Sequence, residues 1–102
     1  YPKVFAEDMN TNSGEGDYSL KAIVQGPFSQ KDWQSTKDEL TQYLAIPRTK
    51  EAEARARFYL GQSYYFMAAP KDALFEFLLA QNTYEKEASE WIQASLAMMN
   101  TP

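Results

Sequence analysis

Residues 54–80 read ARARFYLGQSYYFMAAPKDALFEFLLA, and their spacing decides the fold. Two helices are expected, folded back on each other about a break at Ala69-Pro70. Leu60, Gly61 and Tyr64 fall on one helical face, because residues three and four apart are neighbours on a helix surface. Ala73, Phe77 and Ala80 form the answering face of the second helix, small-large-small. Gly61 has no side chain, so the Phe77 ring can enter the notch it leaves. Pro70 suits the first turn of the second helix, where its fixed φ is already helical. The pattern is one of packing rather than of chemistry.

Parts of the stretch recur at a spacing of 34 residues. Lys71, Asp72, Leu74 and Leu78 stand in step with Lys37, Asp38, Leu40 and Leu44, and Phe77 with Tyr43. In the forward direction Arg57, Leu60, Gly61 and Tyr64 are answered by Trp91, Ala94, Ser95 and Met98. The pattern resembles the tetratricopeptide repeat, with Leu-Gly-x-x-Tyr on its first helix and Ala-x-x-x-Phe-x-x-Ala on its second. The resemblance implies an all-α domain of about five helices, antiparallel hairpins stacked as a short right-handed solenoid. A degenerate repeat would cover 18–47, a full one 50–83 and a half repeat 84–99, within a helical domain over 18–102. Leu60, Gly61, Tyr64, Ala73, Phe77, Ala80 and Trp91 would then be the repeat's packing residues. Among the superfamily, the order Gly-x-Phe, helix, Pro, helix is most similar to bacterial envelope members, the outer-membrane assembly lipoproteins and the cell-division coordinator. That likeness points to a periplasmic or envelope location.

Outward from this centre the boundaries are set by caps and breakers. Residues 1–17 lack a sustained period and are rich in Asn, Ser, Gly and acid, which suggests a flexible leader or linker pinned by Val4 and Phe5. Asp8-x-Asn10-x-Asn12 has the opening of a calcium loop, but Ser13 replaces its glycine and Ser19 its bidentate glutamate, so a linker is expected instead. A short helix over Tyr18 to Gln25, capped by Asp17, should stop at Gly26-Pro27. Ser29 is placed to cap the next helix, which Pro47 ends after Ile46. Thr49 should cap a helix over Glu51 to Ala68, with Glu51 and Glu53 at its positive end. The second hairpin helix should reach about Gln81, and Tyr84 to Met99 forms the last.

Composition narrows the function. Lys and Arg number 10 against 14 Asp and Glu, a net charge of −4, which disfavours a nucleic-acid surface. Cysteine and histidine are absent, which removes thiol nucleophiles, histidine bases, disulfides and most transition-metal sites. No Gly-rich phosphate loop or nucleophile elbow accompanies the acids, so no enzyme, metal or cofactor is expected. No apolar run approaches the length of a membrane span.

The resemblance instead implies a protein–protein interaction scaffold, whose concave groove holds a partner peptide or helix. Its inward-facing positions would be Arg55, Phe58, Gln62, Tyr65 and Phe66, suiting an apolar helix or an extended peptide bearing an occasional acid. The alternative for Phe58, Tyr65 and Phe66 is packing against neighbouring helices. Arg55 and Arg57 are expected to form surface ion pairs with Glu51 and Glu53. On the last helix Ser89, Ile92, Leu96 and Met99 form an apolar surface with no following helix to cover it. That surface raises a second possibility, a homo-oligomer, and an accessory domain binding a small hydrophobic ligand is a third.

Overall fold

The computed structural model describes residues 1–9 and 18–100, and every regular element among them is helical. In chain order they are α1 (Ala6–Met9), α2 (Tyr18–Ile23), α3 (Trp33–Leu44), α4 (Lys50–Phe66), α5 (Pro70–Gln81) and α6 (Glu85–Met99). A wide turn, Val24–Phe28, joins α2 to the loop before α3. From α2 onward each helix packs on the next, most extensively α4 on α5 and α5 on α6.

The ends follow local chemistry. Asp32 caps α3, its carboxylate accepting from the Ser35 N–H at 3.2 Å. Ser29 does not serve as that cap: its hydroxyl turns back to the carbonyls of Gln25 and Gly26, both at 2.9 Å. Lys31 then takes a left-handed φ of 60°, which delays the helix to Trp33. Thr49 caps α4 as its sequence suggests, accepting from Ala52 N–H at 3.1 Å. Arg48 lies over the Tyr43 ring at 3.8 Å and donates to the Tyr43 carbonyl, closing the α3–α4 connection. Ala68, at φ 60°, supplies the left-handed residue that ends α4, and Pro70 opens α5. The Asp17 cap lies outside the described residues.

The hairpin of α4 and α5 closes as the small residues require. A Cβ placed on Gly61 would lie 2.6 Å from Phe77 Cε1 and 2.8 Å from its Cδ1. Leu60, Ala73, Phe77 and Ala80 are buried, and Tyr64 is partly buried against the same core. Phe77 in turn meets Phe58 at 5.9 Å and Trp91 at 5.7 Å between ring centres, tying α6 to the hairpin. Across the hairpin Arg57 Nη1 donates to Glu76 Oε1 at 2.9 Å. Arg57 also faces Glu53 at 3.6 Å, one turn earlier.

On α6 the buried residues are Ala88, Ile92 and Ser95, at helical spacing toward α5. Ile92, expected on an uncovered surface, therefore belongs to the core, while Leu96 and Met99 on the flank stay exposed. No helix among the described residues is long and apolar enough to cross a membrane.

Gly61→Ala provides the test of this packing. Phe77 is fully buried and wedged between two other rings, so it cannot yield cheaply to the added methyl. Even after about 1 kcal/mol of improved helix propensity, a loss of about 1–2 kcal/mol is expected in urea unfolding. Combined with Phe77→Leu, the loss should be smaller than the sum of the two single changes.

Candidate functional site

Arg55, Tyr59 and Gln62 lie in a row along one face of α4, and all three are buried. Buried polar groups need partners, and α4 cannot supply them from its own backbone. The first nine residues of the chain do. Gln62 holds the Lys3 main chain at both groups, its Oε1 accepting from the N–H at 2.7 Å and its Nε2 donating to the carbonyl at 3.0 Å. Two residues on, the Phe5 N–H donates to the Tyr59 hydroxyl at 3.0 Å. Tyr59 passes its own proton bond to Asp8 Oδ2 at 2.5 Å, and Arg55 Nε reaches that same oxygen at 3.1 Å.

Residues 1–5 belong to no regular element, and the segment then turns into α1, where Asp8 N–H bonds the Phe5 carbonyl at 3.0 Å. This turn brings the Asp8 carboxylate back onto α4 beside the ring that precedes it. Phe5 enters an aromatic seat, 4.5 Å from Tyr84, 5.1 Å from Phe58 and 6.0 Å from Tyr59 between ring centres. Gln25 Nε2 closes the far end by donating to the Asp8 carbonyl at 3.0 Å. The aromatic wall continues past the segment through Trp91, Tyr65 and Phe66 to Trp33, which stacks on Phe66 at 4.8 Å.

Charge is balanced here at a cost. Burial pushes the Asp8 carboxyl above its ordinary value, even though the Tyr59 hydroxyl and the Arg55 guanidinium pull it down. Its second oxygen, Oδ1, is buried and has no hydrogen-bond partner among the described residues. Arg55 is also desolvated, but the Tyr84 hydroxyl at 3.1 Å and the Asp8 charge outweigh that and raise its pKa. Tyr59 is raised far above a normal phenol by burial and by Asp8, so it remains a proton donor at all working pH.

Arg55, Phe58 and Gln62, expected on an open groove, are thus brought together but covered by residues 3–8. Arg55 makes no surface pair with the early glutamates; Asp8 is its partner, buried on both sides. Phe58 is core, 2 % exposed. Tyr65 and Phe66 are half-buried and edge against Trp91. Ser89, half-buried, bonds the Glu85 carbonyl of its own helix. Residues 1–9 are packed on α4 instead of trailing loosely, pinned by Phe5 as the sequence suggested and by Asp8, which it did not suggest. Tyr59 and Tyr84 were also unsuspected. The spacing of Tyr59 from Arg55 was readable, but the acid it serves is 51 residues away in the chain, and Tyr84, which accepts from Arg55, is 29 residues from it.

Beside the seated segment a cleft of about 410 Å³ remains open, lined by Phe58, Trp91, Lys86, Glu87 and Glu90 opposite Val4 and Phe5. Among the described residues no group of three or more acids, histidines or cysteines is placed to hold a metal. Compared with family models, curated proteins and solved structures, the chain matches none.

Two outcomes follow from this geometry. Because the folded pKa of Asp8 is raised, protonation favours the folded state. Wild type should gain stability relative to Asp8→Asn as pH falls through that raised value, and stop gaining below the ordinary aspartate value of 3.8. Urea unfolding of both proteins over a pH series reads the sign; a relative loss on acidification contradicts it. Separately, Gln62→Leu keeps the volume but removes both bonds to Lys3. Trypsin cleavage after Lys3, timed by mass spectrometry, should quicken by about 10-fold, the equivalent of about 1.4 kcal/mol, within the range of one or two such bonds.

Proposed function

We propose that the chain is a non-catalytic helical interaction scaffold of the tetratricopeptide kind, which recognises an extended peptide along the face of α4 that residues 3–8 cover and the adjoining side of α6. The observation that carries this reading is the paired grip of Gln62 on a main-chain N–H and C=O. Such a grip holds an extended backbone whatever its side chain, which is how peptide grooves gain affinity without reading sequence at every position. Tyr59, Arg55 and the aromatic wall then read selected side chains. The staggered recurrence at 34 residues and the close fit of Gly61 with Phe77 support the repeat assignment.

The rival readings have less to stand on. A homo-oligomer through the last helix loses Ile92 to the core and keeps Leu96 and Met99 from the proposed surface. A small hydrophobic ligand calls for an enclosed pocket, whereas the cleft beside Phe58 and Trp91 is open and rimmed by the exposed Lys86, Glu87 and Glu90.

Peptides selected from a random display library against the full chain test the reading. Added to isotope-labelled protein, they should shift the Gln62 side-chain amide and the backbone signals of Lys3 and Phe5. Shifts confined to the outer side of α5, around Phe75 and Leu78, would contradict it.

A further inference from the structure

Resting on that reading of α4, we infer that residues 3–8 are a tethered pseudo-ligand, and that the partner they stand in for is a peptide carrying an aromatic residue with a carboxylate three places after it. The seat defines this chemistry by its contacts. Gln62 takes the main chain two residues before the aromatic, and Tyr59 takes the N–H of the aromatic itself. Phe58 and Tyr84 accept the ring. Arg55 and Tyr59 converge on one carboxylate oxygen, at a point the peptide reaches only by turning helical after the ring. Lys3, Ala6 and Glu7 are exposed, so the intervening positions are free to vary.

The fit of the internal segment is incomplete, as expected of a stand-in. Its ring leaves the cleft of about 410 Å³ open alongside Phe58 and Trp91. A second cleft, of about 280 Å³, continues past Tyr1 toward Tyr65, Phe66 and Ala94. Asp8 Oδ1 lies buried with no hydrogen-bond partner among the described residues, and burial raises the carboxyl it belongs to. An element with a purely structural role would be under pressure to fill that space and satisfy that oxygen. A separate peptide with a larger aromatic group, or with an apolar residue two or more places earlier, can occupy both clefts. The tether makes the internal copy a competitor: a covalently linked segment acts at an effective concentration in the millimolar range. Free peptide must therefore displace it, and full occupancy waits for a partner that binds better than the stand-in.

The test uses the full chain and a labelled peptide spanning residues 2–9, PKVFAEDM, blocked at both ends. Phe5→Ala in the protein weakens the internal copy without altering α4. The peptide should bind this variant at least about tenfold more tightly than wild type, by removal of the tethered competitor. Peptides carrying Phe5→Ala or Asp8→Ala should bind the variant at least about tenfold more weakly than the parent peptide, a loss equivalent to about 1.4 kcal/mol. If the variant takes the parent and a scrambled peptide equally, the aromatic–acid assignment falls while the peptide groove stands. If no peptide binds while residues 1–9 are seen by NMR to be released from a folded protein, the groove reading falls as well. Lys3→Pro removes the N–H that Gln62 Oε1 accepts and changes no residue of α4, so it serves where Phe5→Ala fails to fold. Light scattering on wild type should give a monomer at all concentrations. A dimer formed by exchange of residues 1–9 between two copies would overturn the assignment of a separate partner.

Discussion

A row of three polar side chains on the inner part of one helix sets the terms for the rest of this molecule. Arg55, Tyr59 and Gln62 point the same way from α4 into a region closed to water. Unsatisfied, each would cost about 1–3 kcal/mol, and the guanidinium more. The helix therefore demands a complementary backbone and an acid from elsewhere in the chain. Lys3, Phe5 and Asp8 meet that demand in order along the row, so the N-terminal residues become part of the folded domain. Hydrogen bonds give this contact its register, while the rings of Phe5, Phe58 and Tyr84 give it area.

The apolar side of α4 solves a different problem. Gly61 and Phe77 set how closely α5 approaches, and that approach puts Phe77 against Phe58 and Trp91. Phe58 thereby touches both the core and the ring of Phe5. Packing of the hairpin and seating of the segment share this one side chain. A change that tightens or loosens the hairpin should consequently be felt at the candidate site.

The hairpin was legible in the sequence because it depends on local spacing. Glycine opposite phenylalanine and small residues one turn either side state their own packing, and Thr49 and Pro70 mark the ends. The candidate site was legible in half. Arg55, Phe58 and Gln62 carried the right chemistry, an extended backbone with an acid, but that chemistry is met within the chain. Nothing in the spacing of residues 1–9 announces a partner some 50 positions away, because a tertiary contact leaves no period in either segment. The start of α3 was misplaced for a local reason: Ser29 and Asp32 are both good caps, and the left-handed turn at Lys31 decides between them. Ile92 was misplaced because apolar groups on several faces of α6 do not reveal which face α5 covers.

Hydrogen exchange at individual amides tests the seating of residues 3–8 most directly. The N–H groups of Lys3 and Phe5, bonded to Gln62 and Tyr59, should exchange far more slowly than an unstructured peptide of that sequence. Exchange of both at peptide rates, with α4 and α5 still protected, would mean that the row on α4 is satisfied in some other way.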